Sequence, residues 1–587
     1  MRILVDSWHA SNKYSNRRIG QPNSKSGRAM SESSTPLHVR WIGRVPYREA
    51  LALQSGLFEH GVDQHLLLLE HSHVFTYGHT ADLANNLRCA PRDVGADLVE
   101  VQRGGDITYH GPGQLVGYPI LSLRAKHGID GPADTRSYIY DVEQLVIDTL
   151  SQLGVHNAGR MGEFPGVWID PDTKNARKIC AIGVRVGSGS TDRRTMHGFA
   201  LNVSTDMTFM REHIVPCGIA DYAVTSLFEE GIDVSMNDVV DIVSRLAQLR
   251  WGSQTNTRAD VAWKHRPEDL SAFSRGEGAG EQVRLTKRLE QAGVMDGLSI
   301  SMRKPEWIRP HVKHTDEVLK TKRTLRDLNL VTVCEQAGCP NLSECWNDGT
   351  ATFMVLGERC TRACGFCLID TQKPLLPDAD EPRRVAEAVQ RMGLEFAVLT
   401  MVARDDLADG GMQHVADTIR AIRALNFDAK VETLISDVKG TDALDILIAE
   451  RPDVFNHNVE TVARLQRAVR PSAGYARSLS VLARGRAAGL TTKSGMIVGM
   501  GEKAHEVEET LVDLASVGVQ IVTIGQYLRP TTNHLPVARW VEPEEFEHYK
   551  AFGEQLGMQH VQSSPLTRSS YHAKQAHGQS QHVVHAL

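Results

Sequence analysis

The rhythm of apolar and polar positions changes twice along the chain. Residues 1–36 show no periodicity, with Arg17, Arg18, Lys25 and Arg28 set among serines. From about Pro36 to Gly252, short runs such as Leu98–Gln102, Ile179–Val186 and Phe199–Val203 are rich in Val, Ile and Leu and bounded by Gly. Such runs predict strands. Tyr138–Leu153 repeats its apolar positions at helical spacing. The two kinds do not alternate regularly, so this half reads as α+β. Residues 254–280 lose the pattern and end in Ser274-Arg-Gly-Glu-Gly-Ala-Gly280, a linker composition. Glu281–Leu298 then predicts a connecting helix.

A second rhythm begins at Thr350. Strand-like runs recur at Phe353–Leu356, Phe396–Val402, Lys430–Ile435, Val454–Asn458, Ser494–Met500 and Ile521–Tyr527. Amphipathic segments such as His414–Leu425, Leu479–Ala488 and Glu506–Leu514 fill most of the gaps. Alternating strand and helix implies parallel βαβ units, and about six of them favour a partial or closed barrel over an open sheet. The expected layout is an extension at 1–36, a first domain at 37–253, a linker and helix at 254–300, and an α/β barrel at 301–587. In such barrels chemistry sits on the loops after the strands. Cys360 to Cys367, Arg404–Asp406 and Glu502 fall there.

At 587 residues the chain exceeds one hydrophobic core, in agreement with two or three domains. No run approaches the ~18 apolar residues of a membrane span. A net charge of −6 argues against a nucleic-acid wrapper. Neither membrane nor nucleic acid is an expected partner. Residues 1–36 lack the apolar core of a secretory signal. They read as a disordered extension, as residues ahead of a start at Met30, or as an Arg- and Ser-rich mitochondrial presequence.

The nine cysteines are uneven. Cys89, Cys180 and Cys217 are scattered, while Cys334, Cys339, Cys345, Cys360, Cys364 and Cys367 crowd into 34 residues. A long chain with clustered thiols reads as metal sites in a reducing compartment, not as a disulfide scaffold. Cys360-Thr-Arg-Ala-Cys364-Gly-Phe-Cys367 is C-x3-C-x2-C in a post-strand loop. Three thiolates there can hold three irons of a cubane and leave the fourth open to a chelating ligand. Zinc is the alternative, but it takes four ligands, often from two C-x2-C pairs, and this loop lacks the second. Cys334-Glu-Gln-Ala-Gly-Cys339-Pro-Asn-Leu-Ser-Glu-Cys345 adds C-x4-C-x5-C. Two triads imply two clusters, each one protein thiolate short.

The C-x3-C-x2-C loop resembles the radical S-adenosylmethionine superfamily. The two triads together, with Phe455-Asn-His-Asn458-Val-Glu460-Thr, Thr492-Lys-Ser-Gly-Met-Ile-Val-Gly-Met-Gly-Glu502, Gly525-Gln-Tyr-Leu-Arg-Pro-Thr and Arg568-Ser-Ser570-Tyr-His-Ala, resemble lipoyl synthase from about Lys304 to Ala573. That resemblance implies two 4Fe-4S clusters, S-adenosylmethionine cleaved to a 5′-deoxyadenosyl radical, and an electron donor such as flavodoxin or ferredoxin. It implies Ser570, with Ser569 as fallback, as the unusual fourth ligand of an auxiliary cluster consumed as sulfur source. It also implies Asn458, Glu460, Gly499 and Glu502 as cofactor contacts. The plainer readings are a satisfied strand-end network for Asn458 and Glu460, tight packing for Gly495, Gly499 and Gly501, and a capping role for Ser570. One departure stands at Ala403, where the family usually has an acidic residue.

In the first half, Arg103-Gly104-Gly105-Asp-Ile-Thr-Tyr-His110-Gly-Pro-Gly-Gln114, the strand opened by Lys178, Met196-His197-Gly198-Phe-Ala-Leu-Asn-Val203 and Val215-Pro-Cys217-Gly218 stand out. Cys217 precedes an apparent helical pattern near Ala220. A thiol attacks only as thiolate, and an ammonium or a helix N-terminus would lower its pKa; spacing alone leaves a Cys217–Lys178 pair as readily accidental as real. These segments look like lipoyl(octanoyl) transferase, a relative of the biotin and lipoate protein ligases, over about Leu37 to Gly252. That likeness implies a Cys217–Lys178 dyad, substrate contacts from Arg103, Gly104, Gly105, His110, His197 and Gly198, and a donor, octanoyl-acyl carrier protein. Acceptors would be lipoyl domains of 2-oxoacid dehydrogenase complexes and the glycine cleavage H protein. An ATP-dependent ligase and a non-catalytic docking module are the alternatives for this half. Cys180 stands where the family usually has Ala, and with Cys89 it reads as a small core hydrophobe. His79 stands where that family usually has Arg. The joint expectation is a bifunctional enzyme of the cytoplasm, or of mitochondria in a eukaryote.

Overall fold

A strand can carry four successive leucines only if both its faces are covered, and Leu66–Leu69 within Gln64–His71 meets that condition. In the computed structural model, which describes residues 35–123, 134–162, 164–188, 193–219, 221–261, 289–295, 297–309, 316–336, 339, 341–347, 350–371, 373–438, 442–571 and 573–584, this strand lies inside a nine-stranded mixed sheet. The order is Thr257–Asp260, Leu37–Val45, Gln64–His71, Gln114–Ile120, Arg193–Asn202, Arg177–Ser188, Phe164–Ile169, Ala158–Met161, with Ala223–Val224 alongside Arg177–Lys178. Leu66 and Leu68 face the helices Thr135–Gln152 and Met236–Trp251. Leu67 and Leu69 point the other way, toward Tyr47–His60. Asp134 and Ser235 cap the first two helices by accepting from Ser137 N and Asp238 N. A small sheet of Asp97–Val101, Val74–Gly78 and Thr108–His110 stands beside this layer. The half is α+β, as its irregular order predicts.

The second half is a curled sheet whose strand order follows the sequence. Val331–Thr332 is an antiparallel edge, followed by seven parallel strands: Thr350–Val355, Phe396–Met401, Lys430–Leu434, Val454–Asn456, Thr492–Val498, Ile521–Gln526 and His560–Ser563. Among the described residues no pairing joins the last strand to the first, so this is a partial barrel. The six predicted strands all form; the seventh, a polar four-residue His-Val-Gln-Ser run, carries too little apolar signal to be foreseen.

Two expectations need correction. Thr257–Asp260, expected in the linker, is a strand paired parallel to Leu37–Val45. The connecting helix expected to reach Leu298 is already over by Gln291, because Gly293 turns at φ +78° and Leu298 N donates to Val537 O. The expected extension, save its last two residues, and 262–288 of the linker and helix lie outside the described residues. No described helix is long and apolar enough to cross a membrane.

The halves share one hydrophobic core. Helix Tyr47–His60 lies along barrel helix Tyr475–Ala487 and meets the end of Ala504–Ser516. Gly56 makes that approach possible, since a Cβ there would sit 3.3 Å from Ala483 Cβ and Val517 Cα. Beside it, Arg40 Nη2 reaches Asp513 Oδ1 at 3.3 Å, and Tyr475 Oη donates to Asp513 Oδ2 at 2.9 Å, all buried. Asp513→Ala is expected to destabilise the chain by about 3–5 kcal/mol, the cost of leaving a buried guanidinium unpaired. Denaturant unfolding checks this; a loss below about 1 kcal/mol would place the pair in a wet, screened setting.

Candidate active sites

A cavity of about 570 Å³ opens at the C-terminal ends of the barrel strands. Cys360, Cys364 and Cys367 line it from the loop after Thr350–Val355. Cys334 and Cys339 line it from the segment before that strand, and Ser569 and Ser570 from the C-terminal segment. Cys345 does not touch the cavity; it lies on helix Leu342–Asn347, close enough to Cys334 for their charges to interact. Two contacts draw the C-terminal segment in: Asn341 Nδ2 donates to Leu566 O at 2.7 Å, and Gly525 lacks the Cβ that would meet Thr567 O at 2.0 Å.

Burial pushes the Cys360 thiol up, Cys364 up to about 11, and Cys367 further. Backbone N–H groups of Arg362 and Ala403 donate to Cys360 Sγ at 3.4 and 3.3 Å. In the upstream triad a thiol–thiol hydrogen bond raises Cys334 and holds Cys339 down at about 7, with Arg568 assisting. Dry thiols with N–H donors aimed at sulfur suit a cationic centre that replaces water. Among the described residues no three His, Cys, Asp or Glu side chains converge at single-ion spacing. The three-thiol donor set of Cys360, Cys364 and Cys367, with N–H groups aimed at Cys360 Sγ, fits an iron–sulfur cluster.

Asn458 and Glu460 also line the cavity. Asn458 Nδ2 donates to Glu460 Oε1 at 3.1 Å, while its buried Oδ1 has no hydrogen-bond partner. Gly495 leaves the room for that carbonyl, since a Cβ would come within 2.8 Å of it. Glu460 holds a strained φ of +65°, and burial raises its pKa against the pull of Arg470. Gly499 and Glu502 are not brought to the cavity. The Glu502 carboxylate accepts from Gly499 N and Met500 N, capping its own turn, and Gly499 packs where a Cβ would meet Gln526 Nε2.

In the first half Cys217 sits in the turn Pro216–Gly218 at φ +57°, ψ +19°, a left-handed conformation unusual outside glycine. Cys217 N donates to Ile107 O at 2.9 Å, and Gly218 follows at φ +67° against Asp106. Among the described residues no helix follows Cys217 where one was expected near Ala220: Ala223–Val224 is instead a strand paired with Arg177–Lys178. The thiol's nearby cation is Arg103, whose guanidinium has Cys217 as its foremost charge partner. Arg103 is fixed by bonds to Thr76 O, Thr76 Oγ1, Gly104 O and Asp106 O. Gly104 and Gly105 are exposed. Gly104 covers strand Arg177–Ser188 at Gly183, where its O would lie 3.7 Å from a Cβ, and Gly105 O lies against Gly78, 2.7 Å from where a Cβ would be.

Lys178 is buried with Nζ 5.3 Å from the Trp168 ring centre, in space left by Gly166. Cys180, two residues on and fully buried, lies within electrostatic range of both Lys178 and Cys217. His110 donates Nδ1–H to Gln114 and His197 N donates to Gln54; burial lowers the two rings to about 3 and about 4. Both are neutral at physiological pH. Gly198 presses on Gly117 O, where no side chain fits.

Residues 46–247 match the lipoyl protein ligase A/B catalytic domain, and residues 354–514 match the radical SAM superfamily. A lipoyl synthase of Rubrobacter xylanophilus is 54% identical over 46% of this chain and 85% of its own length. One of Chlorobaculum parvum is 51% identical over 46% of this chain and 94% of its own. The chain belongs to the lipoyl synthase family. Among solved structures, a bi-partite lipoate protein ligase with its E2 lipoyl domain from Thermoplasma acidophilum aligns at 18% identity and a TM-score of 0.32, over 39% of this chain and 88% of that one.

Within the lipoyl synthase half, several site residues escaped sequence reasoning. Arg362, Arg470, Arg529 and Arg568 all line the cavity. Arg362 is clamped by Asp405 and Asp437, and Arg470 Nη1 holds Asn458 O and Val459 O. For Arg362, Arg529 and Arg568 the available signal was their place inside the motif runs; Arg470 lies outside those runs. Ala403 acts through its backbone, where its N–H holds Cys360 Sγ and its carbonyl accepts from Thr361 Oγ1.

Proposed function

We propose that the chain makes protein-bound lipoate in two successive steps, octanoyl transfer in the first half and insertion of two sulfurs in the second. In the first, the Cys217 thiolate attacks the thioester carbonyl of octanoyl-acyl carrier protein, and the carrier thiolate leaves with a proton from Lys178. The amine of a lipoyl-domain lysine then attacks the Cys217 thioester, an amide forms, the Cys217 thiolate departs, and Lys178 recovers the amine proton. Arg103 stabilises the thiolate before attack and after departure. That Lys178 and Cys217 both lie within electrostatic range of the buried Cys180 supports this dyad.

In the second step Cys360, Cys364 and Cys367 would hold one 4Fe-4S cluster, and Cys334, Cys339, Cys345 and Ser570 another. When bound, these groups supply one-electron cleavage of S-adenosylmethionine and the sulfur to be inserted. Asn458, whose buried carbonyl has no hydrogen-bond partner among the described residues, and Glu460 offer polar contacts to that cofactor. The observation that carries this reading is one cavity lined by Cys360, Cys364 and Cys367, by Cys334 and Cys339 of the upstream triad, and by Ser570. Partners follow from the chemistry: an acyl carrier protein, a lipoyl domain and a one-electron donor.

The test is incubation with octanoyl-acyl carrier protein, an apo lipoyl domain, reductant and S-adenosylmethionine, read by mass. An octanoyl adduct followed by a dithiolane supports the reading. Transfer that needs free acid and ATP would make the first half a ligase; an iron-free chain would end the cluster assignment.

Ser570 allows a sharper test. A hard alkoxide holds iron in a sulfur-rich centre less firmly than a thiolate, so it is the ligand most readily released. Ser570→Cys should keep both clusters and still cleave S-adenosylmethionine, yet fail to complete the dithiolane. Normal sulfur insertion by this variant, and equally by Ser569→Cys, would remove the serine from the ligand set.

A further inference from the structure

We infer that Glu143, on helix Thr135–Gln152, is a positioning residue for Lys178, because its carboxylate holds open the seat in which that lysine lies. Residues two apart on a regular strand share a face. On strand Arg177–Ser188, Cys180, Ile182 and Val184 pack into the core under helices Thr135–Gln152 and Met236–Trp251, so a regular strand would send Lys178 there as well. A β-bulge prevents this. Val167 pairs with Cys180 but the next residue, Trp168, pairs with Lys178, which leaves Ile179 as an extra residue between them. Ile179 and Cys180 both enter the core, and Lys178 turns to the opposite face, as bulges re-aim side chains. That is the face of Gly183, where a Cβ would meet Arg103 Cδ at 3.1 Å. Arg103 is bonded to Asp106 O, and Cys217 N to Ile107 O, so the reactive turn is fastened beside it.

The neighbouring strand Phe164–Ile169 supplies the seat. Trp168 offers its ring to Lys178 Nζ at 5.3 Å, and Gly166, two residues before it on the same face, leaves the room. A Cβ on Gly166 would lie 2.6 Å from Lys178 Cε and 2.5 Å from Cys180 O. Gly166 holds φ at +132°, a conformation that glycine alone adopts readily. The ladder on its far side is also irregular: Arg160 pairs with Val167 and Met161 with Phe164, so Pro165 and Gly166 stand outside that pairing. The Gly166 N–H goes instead to Glu143 Oε1 at 3.1 Å. Glu143 is 7% exposed, and its other oxygen accepts from Arg160 Nε at 2.9 Å, with Arg160 Nη2 further held by Gln144 Oε1 at 2.8 Å. One line of direct contacts thus runs from the Glu143 carboxylate through Gly166 to Lys178. Without the acceptor the buried Gly166 N–H is unpaired, the strand shifts to satisfy it, and the space beside Lys178 Cε changes shape.

The test uses the full chain and octanoyl-acyl carrier protein, with acylation of Cys217 followed by mass in Glu143→Ala, Lys178→Ala and the double variant. In Glu143→Ala kcat should fall by up to about 10²-fold, the cost of roughly 1 Å of misplacement, with KM for the carrier unchanged. Glu143→Gln, whose amide oxygen still accepts from Gly166 N, should recover most of that loss. In the Lys178→Ala background the alanine at 143 should cost nothing further, since its effect passes through the lysine. A wild-type kcat in Glu143→Ala would overturn the inference. So would an equal loss with and without Lys178, which marks a merely structural role. If Glu143→Ala does not fold, Glu143→Met, which fills the space and offers no acceptor, is judged by the same outcomes; failure of both to fold also marks a structural role and overturns the inference. The inference rests on the transferase reading of Cys217 and Lys178. Wild-type acylation by Lys178→Ala alone would bring down that dyad and this inference with it, a result distinct from the others.

Discussion

Cys217→Ser is expected to abolish octanoyl transfer and to leave sulfur insertion on a pre-octanoylated lipoyl domain intact. The substitution removes the sulfur but not the turn. Serine fits the left-handed φ of +57° no worse than cysteine, and the bond from residue 217 N to Ile107 O is backbone. What is lost is the thiolate: a hydroxyl does not ionise near neutral pH, and Arg103 alone cannot make it do so. Lys178→Ala should cost on the order of 10²–10⁴-fold, the usual loss of a positioned acid/base. Its strand is paired on both sides, so the fold should survive. A mass adduct on Cys217 after mixing with octanoyl carrier protein, absent in the serine variant, checks the assignment directly. Full transferase activity in Cys217→Ser would sink it.

How much of this was legible in the sequence depends on how local the cause was. Barrel strands such as Phe396–Met401 and Ile521–Gln526 are apolar at nearly every position because helices and neighbours cover both faces, so pattern alone located them. Both cysteine triads and Ser570 were legible from spacing and motif, and the fold brings five of those cysteines and the serine to one cavity. Thr257–Asp260 was not legible. Its residues are polar, and it becomes a strand only because Leu37–Val45, far back in sequence, presents an open edge. Glu502 misled for a related reason. A carboxylate after a strand looks like a ligand whether it faces the cavity or caps the turn two and three residues behind it. The Arg362 clamp spans 43 residues to Asp405 and 75 to Asp437, and Glu49 meets Ser480 across 431. No periodicity encodes such pairs. Helix Tyr47–His60 illustrates this from both sides: Gln54 holds His197 in the transfer site while Glu49 and Gly56 face the barrel, and only the assembled core assigns those faces.

Cys364→Ala is expected to stop reductive cleavage of S-adenosylmethionine and to lower iron by roughly one cluster's worth. Two thiolates hold a cubane with an open iron poorly. The loss should be local. Gly365 N donates to Val469 O at 2.8 Å, Leu535 N donates to Gly365 O at 2.9 Å, and the Arg362 clamp is elsewhere in the loop, so the backbone around position 364 stays anchored without the thiol. The buried thiol itself, pushed up to about 11, contributes little as a hydrogen-bonding group in the metal-free loop, and alanine leaves no unpaired charge behind. The upstream triad lies on separate segments, Cys334 on helix Val333–Gln336 and Cys345 on helix Leu342–Asn347, so its share of the iron should remain. Octanoyl transfer, which we assign to Cys217 in the other half, should proceed at the wild-type rate. Iron analysis with a 5′-deoxyadenosine assay separates the possible results. Iron down with cleavage lost places the cofactor's cluster on this loop. Unchanged iron with unchanged cleavage removes the loop from radical chemistry, and loss of all iron would mean that the two triads form a single centre.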